Sequence, residues 1–197
     1  MEVGQAVSRL DKLLASYAAG ALPSALHALV GGHLELSKAN RQYVHSLEAS
    51  LAHAVTEQSE MRVKRRDERL DAIFACNKTG RRTADYIMPR ALQHVLNAEL
   101  EGLSYRETGL GIREADILET SGMPAQILRM QPGSTLPLHT HETTEYMLVL
   151  AGGFQAGGTQ YQRGDIAIFD EKSAHALVAD CTDECICLAV MDTMPGS

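Results

Sequence analysis

The spacing of apolar residues divides the chain into a helical first part and a β-rich second part. Up to about residue 75, leucines and other apolar residues recur at intervals of three and four, which is typical of amphipathic helices. This pattern predicts helices over approximately Val7–Ala19, Ser24–Leu36, Lys38–Val55 and the highly charged segment Glu57–Phe74. Gly31 and Gly32 fall inside the second of these and should weaken it by about 1 kcal/mol each relative to alanine.

The pattern changes after this helical region. The polar stretch Cys76–Asp85 predicts a linker, and a short helix is expected at Pro89–Leu96. From Leu103 onward, short apolar runs alternate with Gly, Pro, Asp and Ser clusters such as QPGS and QRGD, which is typical of an antiparallel β-barrel or sandwich. The predicted strands are Ser104–Glu107, Ile112–Glu119, Ala125–Met130, Tyr146–Ala151, Gly153–Gln155, Thr159–Tyr161, Asp165–Phe169, Ala176–Ala179 and Cys185–Met191.

These elements predict an α+β chain with a helical bundle ahead of a β-barrel. We expect a small helical domain over residues 1–75, a linker with a short helix over 76–98, and a C-terminal antiparallel β-barrel over 99–197. The composition, with 45% hydrophobic and 22% charged residues, fits an ordinary globular protein. The first residues lack the basic and apolar regions of a signal peptide, so a cytoplasmic location is expected. A net charge of −7 argues against a nucleic-acid-binding surface.

Candidate metal ligands cluster in the stretch GSTLPLHTHETTEYMLVLAG, which runs from Gly133 to Gly152. His139 and His141 are two residues apart, so on a strand their side chains would leave the same face. Glu145 cannot reach the same metal from that strand, because four extended residues span about 13 Å. We therefore expect a turn that places Glu145 on an adjacent strand, with His175 coming from a strand across the barrel. An H-x-H pair alone also occurs by chance on solvated strand edges, but three imidazoles and one carboxylate together suit Zn, Fe, Mn, Ni or Cu.

The whole arrangement resembles the cupin superfamily, whose first motif is G(x)5HxH(x)3–4E(x)6G. Gly133, His139, His141, Glu145 and Gly152 match it throughout. The resemblance implies a jelly-roll barrel in which His139, His141, Glu145 and His175 bind one metal ion. The second cupin motif, G(x)5PxG(x)2H(x)3N, is half present, since Gly164 and His175 are in place. Its Pro, Gly and Asn positions are occupied by Asp170, Lys172 and Ala179.

The first half of the chain resembles the ChrR-type anti-sigma factors, which join a helical zinc-binding domain to a cupin-like domain. The stretch LLASYAAGALPSALHALVGGHLELSKANRQYV and the ending DECICLAVMD carry this resemblance. The family's helical domain binds zinc through an upstream His and an H-x3-C-x2-C element. Here His33 is retained, but Ser37 and Asn40 stand at the two cysteine positions and Ser8 at the upstream histidine. We therefore expect no helical zinc site, with His33 packing or capping on its helix.

This resemblance implies a transcriptional regulator whose helical domain sequesters an extracytoplasmic-function (ECF) sigma factor. The cupin domain would then bear one divalent metal ion, zinc in the first place with iron, manganese or nickel as alternatives, and would sense oxidative stress such as singlet oxygen. Direct contact with nucleic acid or membrane is not expected. A different interpretation is a small cupin metalloenzyme, for example a dioxygenase with a helical lid, although the features favour a non-enzymatic role. A third is a cupin that binds a small-molecule ligand and gates the helical domain.

Cys185 and Cys187 occupy alternate positions of the last predicted strand and so share one face. One interpretation makes them small apolar core residues, as buried cysteines commonly are. The other makes them a redox-sensitive pair near the barrel mouth, although neighbouring positions of one strand seldom reach disulfide geometry without distortion.

Overall fold

The computed structural model of the chain describes residues 3–55, 88–96, 100–109, 111–117, 123–171 and 173–192. The predicted charged helix Glu57–Phe74 and the predicted linker Cys76–Asp85 lie outside the described residues. None of the described helices is both long and apolar enough to cross a membrane.

The predicted helices of the described region are present, and their ends agree closely with the periodic pattern. The first helix begins four residues earlier than predicted. The second and third have the predicted limits, because the regular spacing of their apolar residues continues to the ends of these helices. The helices are α1 (Val3–Ala18), α2 (Ser24–Leu36), α3 (Lys38–Val55) and α4 (Arg90–Leu96), and a 3₁₀ turn follows at Leu100–Gly102. The Glu35 carboxylate of α2 caps α4 by accepting hydrogen bonds from the backbone N–H groups of Arg90 and Ala91, at 2.9 and 2.8 Å.

The second half forms short antiparallel strands, as predicted, and adds one strand that the pattern did not predict. The strands are β1 (Arg106–Gly109), β2 (Ile112–Ile117), β3 (Ala125–Met130), β4 (Thr135–His139), β5 (Glu145–Ala151), β6 (Gly153–Ala156), β7 (Thr159–Gln162), β8 (Ile166–Phe169), β9 (His175–Ala179) and β10 (Cys185–Met191). The unpredicted strand is β4, whose sequence TLPLH has little alternation of buried and exposed positions and contains a proline.

The strands form two sheets that face each other. One sheet has the order β1-β2-β3-β10-β5-β8, and the other has the order β4-β9-β6-β7. Among the described strands the two sheets are not joined into a closed barrel, so the cupin jelly roll has the form of a sandwich. Gly152 connects β5 of the larger sheet to β6 of the smaller one with a φ of 61°, and a Cβ there would lie 2.5 Å from the Glu184 carbonyl oxygen. This close approach explains the glycine that ends the first cupin motif.

The central strands of the larger sheet are buried on both faces, and this gives the molecule three layers. Its inner face packs against the smaller sheet through residues such as Met147, Val149 and Phe154. Its outer face packs against the helices, where Leu148, Leu150 and Val190 join one cluster with residues of α1 and α2. Every residue from Cys185 to Val190 in β10 is buried, as expected for a strand covered on both sides. The helices and the sandwich therefore share a core.

Gly31 and Gly32 are the places where α2 comes closest to its neighbours. A Cβ on Gly31 would lie 2.9 Å from the Ala91 Cβ, and one on Gly32 would lie 3.1 Å from Leu148 Cδ2 and 3.2 Å from Leu92 Cγ. The two glycines thus allow α4 and β5 to pack directly against α2. Their low helix propensity, which predicted a weakened helix, is compensated by contacts that any side chain would obstruct.

Candidate metal centre

The structure brings the four predicted ligands together at one end of the sandwich. His139 is the last residue of β4, His141 lies in the loop after it, Glu145 is the first residue of β5, and His175 is the first residue of β9. Each offers one nitrogen or oxygen, and these atoms all lie within 4.8 Å of one another. This group could hold a metal ion.

Three details of the predicted arrangement were wrong. His141 does not share a strand with His139, because the chain leaves the smaller sheet after His139 and crosses to the larger one before Glu145. Glu145 is therefore not on a strand adjacent to β4 but on one of the opposite sheet. His175 does not come from across the sandwich either, since β9 pairs with β4 and His175 is the register partner of His139. Sequence spacing alone does not specify to which of the two sheets each strand belongs.

Three polar atoms at the centre of the group are buried without hydrogen-bond partners among the described residues: His141 Nε2, Glu145 Oε2 and His175 Nε2. Glu145 Oε2 lies 3.1 Å from His141 Nε2 and 3.3 Å from His175 Nε2. These distances are close to the edge of a tetrahedron with bonds of about 2.1 Å, which is about 3.4 Å. Buried polar atoms without partners are costly. Since all three point at one another, a shared cation would satisfy them together, and the donor set fits one.

Backbone carbonyl groups orient two of the imidazoles. The Nδ1–H of His139 donates to the Pro137 carbonyl oxygen at 2.7 Å, and the Nδ1–H of His175 donates to that of Ser173 at 3.2 Å. With the proton on Nδ1, the lone pair of each ring lies on Nε2 and is available to a metal. These two carbonyl groups fix the orientation of the ligand rings, and the sequence pattern of side chains did not indicate them.

Burial and charge make the group suitable for neutral imidazole ligands. Glu145 and His175 are buried, whereas His139 and His141 are partly exposed and form the solvent side of the site. Burial lowers the pKa of His141, and the neighbouring His139 and His175 lower it further, while the Glu145 carboxylate opposes this. A lowered pKa keeps the imidazole unprotonated near neutral pH, and only that form can bind a metal ion.

The Phe169 ring forms an aromatic wall of the site, and the two cysteines belong to the same core cluster as this ring. The Phe169 ring stacks on the His175 ring, with centroids 3.9 Å apart and planes 10° apart. Cys185 and Cys187 are fully buried in the core of the sandwich, with their Sγ atoms 3.6 Å apart. Burial raises the pKa of the Cys187 thiol, and the adjacent Cys185 adds to this effect. Both cysteines therefore lie where the core interpretation places them, and the raised pKa keeps the Cys187 thiol protonated, which makes it a poor nucleophile.

Hydrogen bonds occupy the position of the family's helical zinc site. His33 is buried on α2, and its Nδ1–H donates to the Gly164 carbonyl oxygen at 2.6 Å. The Asn40 side-chain amide donates to His33 Nε2 at 2.8 Å. Ser37 precedes α3, and its hydroxyl oxygen lies 3.4 Å from the Asn40 backbone nitrogen, as in a helix N-cap. Both ring nitrogens of His33 are thus engaged without a metal ion.

The burial of His33 should make the stability of the protein depend on pH. Burial lowers the pKa of His33 below its ordinary 6.5, although the bond to Gly164 opposes this. Below pH 6.5 the unfolded chain therefore binds a proton that the folded chain does not. As the pH decreases in this range, the free energy of unfolding falls by up to about 1.4 kcal/mol per pH unit. The His33→Gln variant should show a shallower decrease between pH 7.5 and 5.5, measured by urea denaturation of the metal-free protein. The matched control is His45→Gln, a change at an exposed histidine of α3, and a slope in His33→Gln as steep as in that control would contradict this assignment.

The comparisons with known proteins cover both parts of the chain. Residues 98–194 match the model of the ChrR cupin-like domain. The anti-sigma-E factor ChrR of Cereibacter sphaeroides is 33% identical over an alignment of 188 residues that covers 92% of this chain and 87% of that protein. The anti-sigma ChrR in the crystal structure of its complex with Rhodobacter sphaeroides SigE is 31% identical, with a TM-score of 0.76, covering 92% of this chain and 96% of that one. Helical layer and cupin sandwich match together, and the chain belongs to the family of ChrR-type anti-sigma factors.

Proposed function

We propose that this protein is an anti-sigma factor whose helical layer binds an ECF sigma factor and withholds it from RNA polymerase. The observation that supports this most strongly is the match over nearly the full length to a relative whose crystal structure is a complex with SigE. A match confined to the cupin part would leave the function open, because cupin folds serve many unrelated functions. RNA polymerase works in the cytoplasm, and this role places the protein there.

The surface of the helical layer supports such a partner. The layer has one face against the sandwich and another directed outward. On the outward side α3 presents two large apolar residues to solvent, Tyr43 and Leu51, which are 40% and 44% exposed. A cavity of about 670 Å³ adjoins α3 and is lined by residues that include Tyr17, Leu34 and Val44. The two exposed side chains lie on the helix that borders this groove, and together they offer a protein partner apolar surface to bury.

We further propose that the group formed by His139, His141, Glu145 and His175 binds one zinc ion. Three imidazoles and a carboxylate, all from the protein, form the closed tetrahedral type of site that zinc commonly occupies. When bound, the ion supplies a fixed positive charge without redox chemistry. The residues of the chain hold it in place, since two backbone carbonyl groups orient His139 and His175. The site then serves as the sensing element of the regulator, and oxidative damage to its ligands is the signal.

The sigma-binding role is tested with purified full-length protein and each sigma factor encoded in the same genome, using titration calorimetry. At least one pair should bind, and the double variant Tyr43→Ser, Leu51→Ser should weaken that binding by at least about 10-fold, because central apolar anchors carry most of the energy of an interface. The matched control is Leu138→Ser, which removes a residue 70% exposed on the sandwich and should bind like the wild type. Failure of every sigma factor to bind would refute the role.

A further inference from the structure

Strand β8 is held at both ends by the helical layer. Among the described strands it lies at the edge of its sheet, where it pairs with β5 alone. Just before it, the Gly164 carbonyl oxygen accepts the 2.6 Å hydrogen bond from His33 of α2. Just after it, the Asp170 carboxylate forms an ion pair with Arg9 of α1, with Nη2 and Oδ2 2.7 Å apart. The position of this strand therefore depends on the helices as well as on β5.

The inner face of the same strand contacts the candidate metal centre. Phe169 is the register partner of Glu145, and its ring stacks on His175. Ile166 and Ile168 of the same strand belong to the cluster on the outer face of the sheet, which the helices cover. Alternate residues of a strand point to opposite faces. This short strand thus contacts two metal ligands on one side and the helical layer on the other.

We propose that β8 couples the state of the metal centre to the docking of α1. With a metal ion bound, the His175 ring is fixed, Phe169 is seated on it, and Asp170 is held where Arg9 reaches it. Without the ion, the buried nitrogen and oxygen atoms of His141, Glu145 and His175 have no partner, and the ligands move to reach water. Phe169 moves with His175, and because Asp170 is the next residue, the contact with α1 weakens.

This inference rests on the proposed function for its biological consequence. The relative in complex with SigE matches this chain across both layers, so the sigma-bound arrangement has the helices docked on the sandwich. Loosening of α1 then lowers sigma affinity, which gives the direction of the response: an intact site favours retention of the sigma factor, and a damaged site favours release. Asp170 stands at the proline position of the second cupin motif. That departure from the motif supplies the contact.

The coupling is tested without any sigma factor, by hydrogen–deuterium exchange of the full-length protein with Zn²⁺ bound and after removal of the metal by a chelator. In the wild type, removal of the metal should speed amide exchange in the part of α1 from Leu10 to Ala18 by about 5-fold or more, in the range of ordinary coupling between sites. In Arg9→Gln, exchange there should already be fast with the metal bound and should change little when it is removed. The exchanged pair Arg9→Asp, Asp170→Arg should restore the metal dependence.

The matched control is Arg106→Gln, which removes an ion pair with Asp116 at the opposite edge of the same sheet. It should respond to metal removal like the wild type. Metal-independent exchange of α1 in the wild type, or a full metal response in Arg9→Gln, would overturn the proposal. The two proposals fail separately. A metal response without sigma binding refutes only the sigma role, and sigma binding with metal-independent α1 exchange refutes only the coupling.

Discussion

Replacing Glu145 by glutamine should lower the affinity of the protein for Zn²⁺ by more than about 100-fold. Loss of a group that merely supports a metal ligand typically costs 10- to 100-fold, and removal of a ligand itself should cost more. Glu145 is 2% exposed, and among the described residues it is the carboxylate whose oxygen lies within 3.3 Å of both His141 and His175. The amide keeps the size of the side chain but removes its negative charge, so that a dication would be held by neutral groups alone.

The measurement is competition for Zn²⁺ with a chromogenic chelator, paired with thermal unfolding. Addition of Zn²⁺ should raise the unfolding temperature of the wild type, because a ligand that binds the folded state stabilises it. It should leave that of Glu145→Gln almost unchanged. The matched control is Glu142→Gln, which changes an exposed carboxylate three residues earlier, in the loop before β5, and should bind zinc like the wild type. Equal loss in both variants would mean that general negative charge, rather than ligation, attracts the ion.

The limits of α2 and α3 could be predicted because they depend on local spacing, and the resemblance to the two cupin motifs singled out the four side chains that the structure brings together. An apolar period of three and four specifies a helix wherever it occurs, and the ligand residues follow a motif of fixed intervals. The assignment of strands to sheets could not be predicted in this way. The crossing between His139 and Glu145 follows from which strands pair, which is a property of the whole sandwich. Strand β4 escaped detection because its exposed, proline-containing sequence lacks the alternation that marks a half-buried strand.

The docking of the helices on the sandwich also escaped prediction, although the sequence carried a signal of it. The last strand reads CICLAV, an unbroken apolar run, whereas a strand with one solvated face should alternate. Read together with the paired glycines of α2, which leave room for a close neighbour, this run indicated a second layer over the sheet. Arg9 and Asp170 carried no such signal, because a single charged residue is more often solvated than paired across the chain.

Leu29→Ala should lower the free energy of unfolding by about 2–5 kcal/mol, the usual cost of deleting a buried leucine side chain. Leu29 is fully buried in the cluster that α1 and α2 share with the outer face of the larger sheet. Leu51→Ala is the matched control, since Leu51 is 44% exposed on α3 and its loss should change stability by no more than about 0.5 kcal/mol.

Urea denaturation should be followed by circular dichroism for the helices and by zinc retention for the sandwich. Because the two layers share one core, Leu29→Ala should shift both transitions together and leave them coincident. A helical transition that moves to lower urea while the sandwich transition stays in place would show that the layers unfold independently, and would count against transmission of a signal between them.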